Sequence, residues 1–433
     1  MNNQDVASAV KQKQALAGLV LIAALFLALR VPVMYHQPGG YDEDFYAVPG
    51  LTILRTGIPQ LPHVPARNPE SVFLYADTAL YSEPPLYFYF QAAFYSVLPH
   101  VYGTGRLASA IAGLGIVACV YFLSRAAGAG VMAALAGAAL LSLSRWFYFP
   151  AICARPDTLC GLFGLAAILA LVEWRRDSRM TSLLLVGILL GLGGLTHFFA
   201  IIYAMQIGLV VAWWSRGWKR LVNFGVVTAT AIVVFCAWVP LITMAPDVFK
   251  SQLGNQLGGT SGGPMWLRVA LPWASLRSQL TVMWEHIGAI QCVIPTAATL
   301  LSTYLGITSR NPVLTLVCGF AWSAMYLICV MVGPDHPVYG YWVYPAGLMF
   351  VALAYALDAV ARALMRSRPA ESAERMSLET RSCAGMCALA IVVALSFVPV
   401  RTGESCWCIC STGTISTMTR QDCAEVDRQR ARK

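Results

Sequence analysis

Hydrophobic residues in this 433-residue chain come in long unbroken runs, not in strand-like alternation. The hydrocarbon core of a bilayer is about 30 Å thick, so about 20 apolar residues span it as a helix. Runs that span, or nearly so, predict helices near 15–33, 105–123, 129–147, 157–173, 181–199, 200–214, 221–245, 285–306, 312–332, 341–361 and 383–400. The expected class is all-α, a polytopic bundle of about eleven transmembrane helices. The division between 181–199 and 200–214 is the least marked. Lys11 and Lys13 precede the first run, but Arg30-Val31-Pro32 follows it and no small-x-small cleavage site appears. It reads as a retained helix, not a cleaved signal.

Charge then orients the bundle. The short loops 174–179 and 214–220 and the stretch 362–381 are basic, and they fall on one side together with Lys11, Lys13 and Arg125. The positive-inside rule makes that side cytoplasmic. Segments 34–104 and 246–284 and the C-terminal tail are then expected outside. Residues 86–98 are crowded with tyrosine and phenylalanine and too short to span. Two readings fit: an amphipathic helix at the outer interface, or an ordinary short helix packed on the bundle. Residues 245–273 are rich in Gly, Pro and Gln and read as a mobile connector or a lid.

Composition agrees. The chain is 58% hydrophobic and 12% charged, with mean hydropathy +0.63, whereas soluble domains carry charge on about a quarter of residues. The net charge of +9 sits in clusters between apolar runs, and no basic-aromatic nucleic-acid motif is present. Of 13 cysteines, Cys119, Cys160, Cys236, Cys318 and Cys329 lie within apolar runs and read as packing residues. Cys406, Cys408 and Cys410 alternate, with Cys423 beyond; that spacing does not match a common zinc site. A disulfide, or no bond at all, suits them better. One membrane domain over 1–400 and a short cysteine-containing tail over 401–433 are expected.

Polar residues gather at the outer helix ends of this topology. Asp42-Glu43-Asp44 follows the first helix, and Ser82-Glu83-Pro84-Pro85-Leu86-Tyr87 opens the aromatic segment. Arg106 starts the second span, Arg155-Pro156-Asp157 starts the fourth and His197 closes the fifth, while Asp335, His336 and Tyr341 precede the tenth. Each has a plain structural reading. The acid run also suits a solvated loop, Asp157 a helix start, the arginines headgroup anchors, and the histidines satisfied interfacial side chains. Together they suit transfer from a lipid-phosphate donor. Arginines, or a metal, stabilise the departing phosphate, and one carboxylate takes the proton of the acceptor hydroxyl. Neighbouring acids raise the pKa of one of their number toward that role.

The order of these motifs resembles the GT-C membrane glycosyltransferases, above all the protein O-mannosyltransferase and aminoarabinose-transferase group. The elements are an outer Asp-Glu with a nearby tyrosine, Pro-Pro-Leu-Tyr, Arg-Leu-x-Ser, and Arg-x-Asp. The likeness is clearest over about 15–200, and Tyr339, Tyr341, Tyr344 and Pro345 match a later motif more weakly. The resemblance implies a helical bundle with an outer active-site cavity and a polyprenyl-phosphate sugar donor. It implies Asp42 as base with Glu43 as the close alternative, and Arg106 and Arg155 facing phosphate. Asp157, Tyr87, His197, His336 and Tyr341 are the further substrate-binding candidates. It places Glu83 beside a divalent metal. One departure stands out: aminoarabinose transferases carry a lysine between the acid and Pro-Pro, whereas Glu83 here runs straight into Pro84.

The expected function is transfer of a sugar from a polyprenyl-phosphate carrier to a lipid, glycan or protein hydroxyl at the outer face of the plasma membrane. The rivals are a flippase of lipid-linked glycans, for which intramembrane charges and paired helix breaks would be expected, and a non-catalytic membrane subunit.

Overall fold

The computed structural model describes residues 3–37, 41–258, 265–334 and 339–366. These form seventeen α-helices. The segment after the first long helix holds α2 and α3, in the order α1 (Asn3–His36), α2 (Tyr41–Thr56), α3 (Leu86–Tyr95) and α4 (Tyr102–Ala126). Next come α5 (Val131–Leu143), α6 (Arg145–Tyr148), α7 (Asp157–Asp177), α8 (Met180–Thr196), α9 (Ala200–Trp214), α10 (Lys219–Phe235) and α11 (Val239–Ile242). Then come α12 (Pro246–Gly258), α13 (Met265–Ala270) and α14 (Trp273–His286); α15 (Ala289–Thr308), α16 (Pro312–Val332) and α17 (Val343–Arg366) follow.

Among the described residues seven helices are long and apolar enough to cross a membrane: Gln12–His36, Tyr102–Ala126, Asp157–Asp177, Lys219–Ile242, Ala289–Thr308, Pro312–Val332 and Gly340–Ala363. Three of the expected spans appear as shorter apolar helices, α5, α8 and α9. The expected helix over 383–400 and the tail 401–433 lie outside the described residues.

α4, α7 and α17 form the middle of the bundle. α7 packs on α4 and α8, α8 on α10, and α17 on α5, α15 and α16. The interior holds Phe26, Trp146, Phe147, Tyr203, Trp342 and Tyr344, all nearly inaccessible. Helices in lipid associate by close packing because no hydrophobic gradient drives them together. The α8–α10 contact shows how: a Cβ on Gly187 or Gly191 would sit 2.7 Å from the carbonyl oxygens of Val227 or Ala231. Buried Arg30 in α1 is held over the Phe26 ring at 3.9 Å and donates to the Ser142 carbonyl.

Outside the long helices the structure departs from expectation. Residues 41–56, read from sequence as a loop at the helix mouth, form α2, and acids suit the first turn of a helix. α3 buries Tyr87, Phe88, Gln91, Ala92 and Tyr95 against its neighbours and exposes Tyr89. Residues 246–258, expected as connector, form a helix. Between α2 and α3 the chain folds on itself through Leu61 N–H to Ala76 O, Leu80 N–H to Pro59 O and a bidentate Arg67–Asp77 pair. Leu61, Ala76 and Leu80 close a small second core with Tyr87, Phe88, Ala108 and Leu159. That core delivers Glu83 to the bundle.

Candidate active site

Six segments meet at one end of the bundle: the start of α2, residues 82–83, the start of α4, residues 154–157, the end of α8 and the start of α17. Glu43 lies in the first turn of α2 and is buried. Its Oε1 accepts from Arg106 Nε at 2.8 Å and from the Ala154 N–H at 2.9 Å, and its Oε2 accepts from Arg106 Nη2 at 2.5 Å. Arg106 Nη1 donates to the carbonyls of Met34 and Gln37 at 2.6 and 2.9 Å. This one guanidinium ties the end of α1 and the start of α2 to α4. At least four of its five N–H groups are engaged with protein, and the residue is fully buried. The structure places Arg106 with Glu43 and with the carbonyls that end α1.

A second pair sits next along the chain. Arg155 Nε donates to Asp157 Oδ2 at 3.0 Å, with the two residues 4% and 1% exposed. The Arg155 guanidinium lies 5.3 Å from the Tyr46 ring centre and 5.7 Å from that of Tyr341. The other Asp157 oxygen accepts from the Tyr344 hydroxyl at 3.2 Å. His197 closes α8 beside them. Its Nδ1 accepts the Phe199 N–H at 3.1 Å, which leaves the proton of the neutral ring on Nε2. That nitrogen points to Glu83 Oε2 at 3.8 Å and Asp157 Oδ1 at 4.0 Å. Glu83 Oε1 in turn accepts from the Tyr46 hydroxyl at 3.4 Å.

Sequence reading foresaw the meeting of Glu43, Glu83, Arg106, Arg155, Asp157, His197 and Tyr341. It misplaced Tyr87. That side chain is fully enclosed, and its hydroxyl meets Ser109 Oγ at 2.8 Å. Ser109 donates to the Arg155 carbonyl at 3.0 Å, so Tyr87 supports Arg155 through Ser109. The Asp42 and Asp44 side chains and the whole of His336 lie outside the described residues.

Gln252 of α12 was not foreseen. It is fully buried, and its Oε1 accepts the N–H groups of Tyr81 and Ser82 at 2.6 and 2.9 Å. Its Nε2 donates to the carbonyls of Leu74 and Ala79 at 2.7 and 2.9 Å. The Tyr81 hydroxyl donates to the Leu241 carbonyl at 2.7 Å, and burial raises its pKa, which keeps it a donor. Four backbone groups next to Glu83 therefore hang on one side chain. Gln252→Leu leaves them unpaired, at about 1–3 kcal/mol for each that stays buried. The expected outcome is hydrogen exchange of the Tyr81 and Ser82 amides faster by tenfold or more (~1.4 kcal/mol). Unchanged exchange would refute the latch.

The resemblance implied a metal at Glu83. Among the described residues no group of three or more His, Cys, Asp or Glu is arranged to hold one. Asp157 is engaged by Arg155 and Tyr344, and Glu83 by Tyr46. The described side chains do not make a metal site, so no step below uses a metal. Four cavities of 760, 540, 650 and 710 Å³ are lined by residues outside this cluster, and the outer cavity implied by the resemblance is not among them.

Residues 82–243 match the family model described as dolichyl-phosphate-mannose-protein mannosyltransferase. ArnT from Cupriavidus metallidurans superposes with a TM-score of 0.56 in its apo state, at 15% identity over 86% of this chain and 76% of ArnT. The undecaprenyl-phosphate-bound form gives 0.55, at 14% identity over 86% and 69%. The oligosaccharyltransferase AglB from Archaeoglobus fulgidus, in complex with an inhibitory peptide and a dolichol-phosphate, gives 0.54, at 16% identity over 89% of this chain and 56% of AglB. The chain shares the fold of ArnT and AglB. The chain spans little more than half the length of AglB, and comparison with curated protein sequences returns no match. Within this fold, the matched segment contains Glu83, Arg106, Arg155, Asp157 and His197; Glu43 lies before it.

Proposed function

We propose that this chain transfers a sugar from a polyprenyl-phosphate carrier to a hydroxyl of a lipid, glycan or protein, at the outer face of the plasma membrane and with inversion at the sugar carbon. The observation that carries this reading is the Arg155–Asp157 pair, buried at 3.0 Å and flanked by His197 and Glu83, at the helix end where the family match and the shared fold coincide. That ArnT and AglB were captured with lipid phosphates supports the class of donor.

The chemistry needs two things. As the bond from sugar carbon to phosphate oxygen breaks, charge grows on the polyprenyl phosphate, and a guanidinium held in a dry site stabilises it at little reorganisation cost. Arg155 has that role, kept in place by Asp157 and by the Ser109–Tyr87 support. As the acceptor oxygen bonds to the sugar carbon from the opposite face, its proton must leave, and a carboxylate takes it. Asp42 has that role. Glu43, committed to three N–H donors, serves to fix the first turn of α2 beside Arg155. Tyr344 orients Asp157 from its other side.

The test is release of polyprenyl phosphate by the purified chain from a panel of synthetic polyprenyl-phosphate sugars, with hydroxyl acceptors present. Turnover of at least one donor is expected. Folded protein that turns over none of them sinks the enzyme reading in favour of a transporter or a non-catalytic subunit.

A further inference from the structure

The opposite end of the same helices carries a second charged cavity. It encloses 650 Å³, and its lining includes Trp174, Arg175, Trp214, Arg216, Lys219 and Asn223. Asp157 opens α7 and Arg175 lies in its last turn. At about 1.5 Å per residue the two are roughly 27 Å apart along the axis, close to the thickness of a hydrocarbon core. The cavity and the acid–arginine cluster therefore belong to opposite leaflets.

Its charge is of one sign. The lining has two arginines and a lysine and no acid. The nearby acids are engaged elsewhere: Glu173 with Arg176 at 2.9 Å, and Asp177 with Arg179 at 3.5 Å. Among the described residues no acid lies within ion-pair distance of Arg175, Arg216 or Lys219. Three cations gathered without an acid repel one another unless an anion joins them. The cavity is also shaped. Arg175 is set over the Trp214 ring at 5.2 Å, and Asn223 Nδ2 donates to Ser215 Oγ at 2.9 Å, closing the turn from α9 to α10. Gly217 in that turn has φ +55°, a left-handed conformation that favours glycine.

Its surroundings are those of a lipid headgroup. Trp213 and Trp218 are 82% and 75% exposed, and indole rings favour the headgroup level of a bilayer. Beside the cavity, α8, α9 and α10 enclose an apolar groove of 710 Å³ that runs from Phe198 and Phe235 to Ala212 and Phe224. Those last two residues adjoin Trp213 and Asn223 in the chain. A cationic pocket at the foot of an apolar groove fits a molecule with a phosphate at one end and a hydrocarbon chain at the other.

We infer that this cavity binds the phosphate of an anionic phospholipid in the leaflet opposite the transfer site, with an acyl chain in the α8–α9–α10 groove. Arginines grip phosphate through paired N–H groups, and the lysine adds charge. The inference needs the helices to span a membrane; it does not need the chain to transfer sugar.

The test uses the full chain reconstituted in phosphatidylcholine bilayers. Electron spin resonance of chain-labelled phosphatidylglycerol and phosphatidylcholine gives the fraction of each lipid immobilised on the protein. A several-fold preference for phosphatidylglycerol is expected in the wild type. Near parity is expected in Arg175→Gln/Arg216→Gln/Lys219→Gln. The control Arg176→Gln/Arg179→Gln removes two acid-paired cations from the same face and is expected to keep the preference. If the triple variant does not fold, Arg216→Gln/Lys219→Gln alters only exposed positions around the turn, and a clear partial loss is expected there. Three results overturn the inference: no preference in the wild type, an equal loss in the control, or an unchanged preference in the folded double or triple variant. Complete displacement by millimolar inorganic phosphate also overturns it, because the site is then one for a soluble anion.

Discussion

Arg155→Gln is expected to weaken the fold and to abolish transfer, and adding Asp157→Asn is expected to restore the fold alone. The pair is 3.0 Å apart and almost wholly buried. Removing the cation leaves an uncompensated buried carboxylate, which costs roughly 3–5 kcal/mol. In the double variant both members are neutral. The side-chain oxygen of an asparagine at position 157 still accepts from Tyr344, so stability returns to within about 1 kcal/mol of the wild type. Transfer does not return, because the group that meets the departing phosphate is gone; losing one such donor costs about 10²–10³ in rate. Thermal unfolding in detergent and release of polyprenyl phosphate, measured on the wild type and both variants, separate the two effects. Should transfer come back with the fold, Arg155 is scaffold and the chemistry lies elsewhere.

The Glu43–Arg106 pair gives a different and asymmetric result. Arg106→Met strips Glu43 of two of its three N–H donors and leaves the carbonyls of Met34 and Gln37 without that guanidinium. A buried negative charge remains, held by the Ala154 N–H. The expected cost is roughly 3–5 kcal/mol, enough for extraction from the membrane to yield little folded protein. Glu43→Gln is milder, at about 1–3 kcal/mol, because the cation keeps two carbonyls and the amide oxygen as acceptors. The check is the order of thermal midpoints: wild type, then Glu43→Gln, then Arg106→Met well below. Equal midpoints for the two variants would contradict the assignment of Arg106 as the tie between α1, α2 and α4.

The long helices were legible because lipid demands unbroken apolar runs, and α4, α7, α16 and α17 begin and end within a few residues of the expected bounds. The convergence of Glu43, Glu83, Arg106, Arg155, Asp157 and His197 was legible for a related reason. Each sits at a helix end, and alternation of direction places those ends together. What polar segments do between spans was not legible. Asp42-Glu43-Asp44 reads as a solvated loop until the partner of Glu43 is known, and that partner is 63 residues away. Gln252 lies in a segment without apolar periodicity, and its contact with Tyr81 crosses 171 residues. Tyr87 was singled out from its place in Pro-Pro-Leu-Tyr, but its hydroxyl partners Gln91 and Ser109 lie outside that motif and could not be read from it.

The central claim is that one end of this bundle cleaves a lipid-phosphate sugar, with Asp42 as base. The direct measurement is the initial rate of polyprenyl phosphate release from a donor that the wild type turns over, taken beside Asp42→Asn under saturating donor and acceptor. The account predicts a fall of about 10²–10⁴ in rate with donor affinity and thermal midpoint unchanged. A folded Asp42→Asn protein that releases polyprenyl phosphate at the wild-type rate would contradict it.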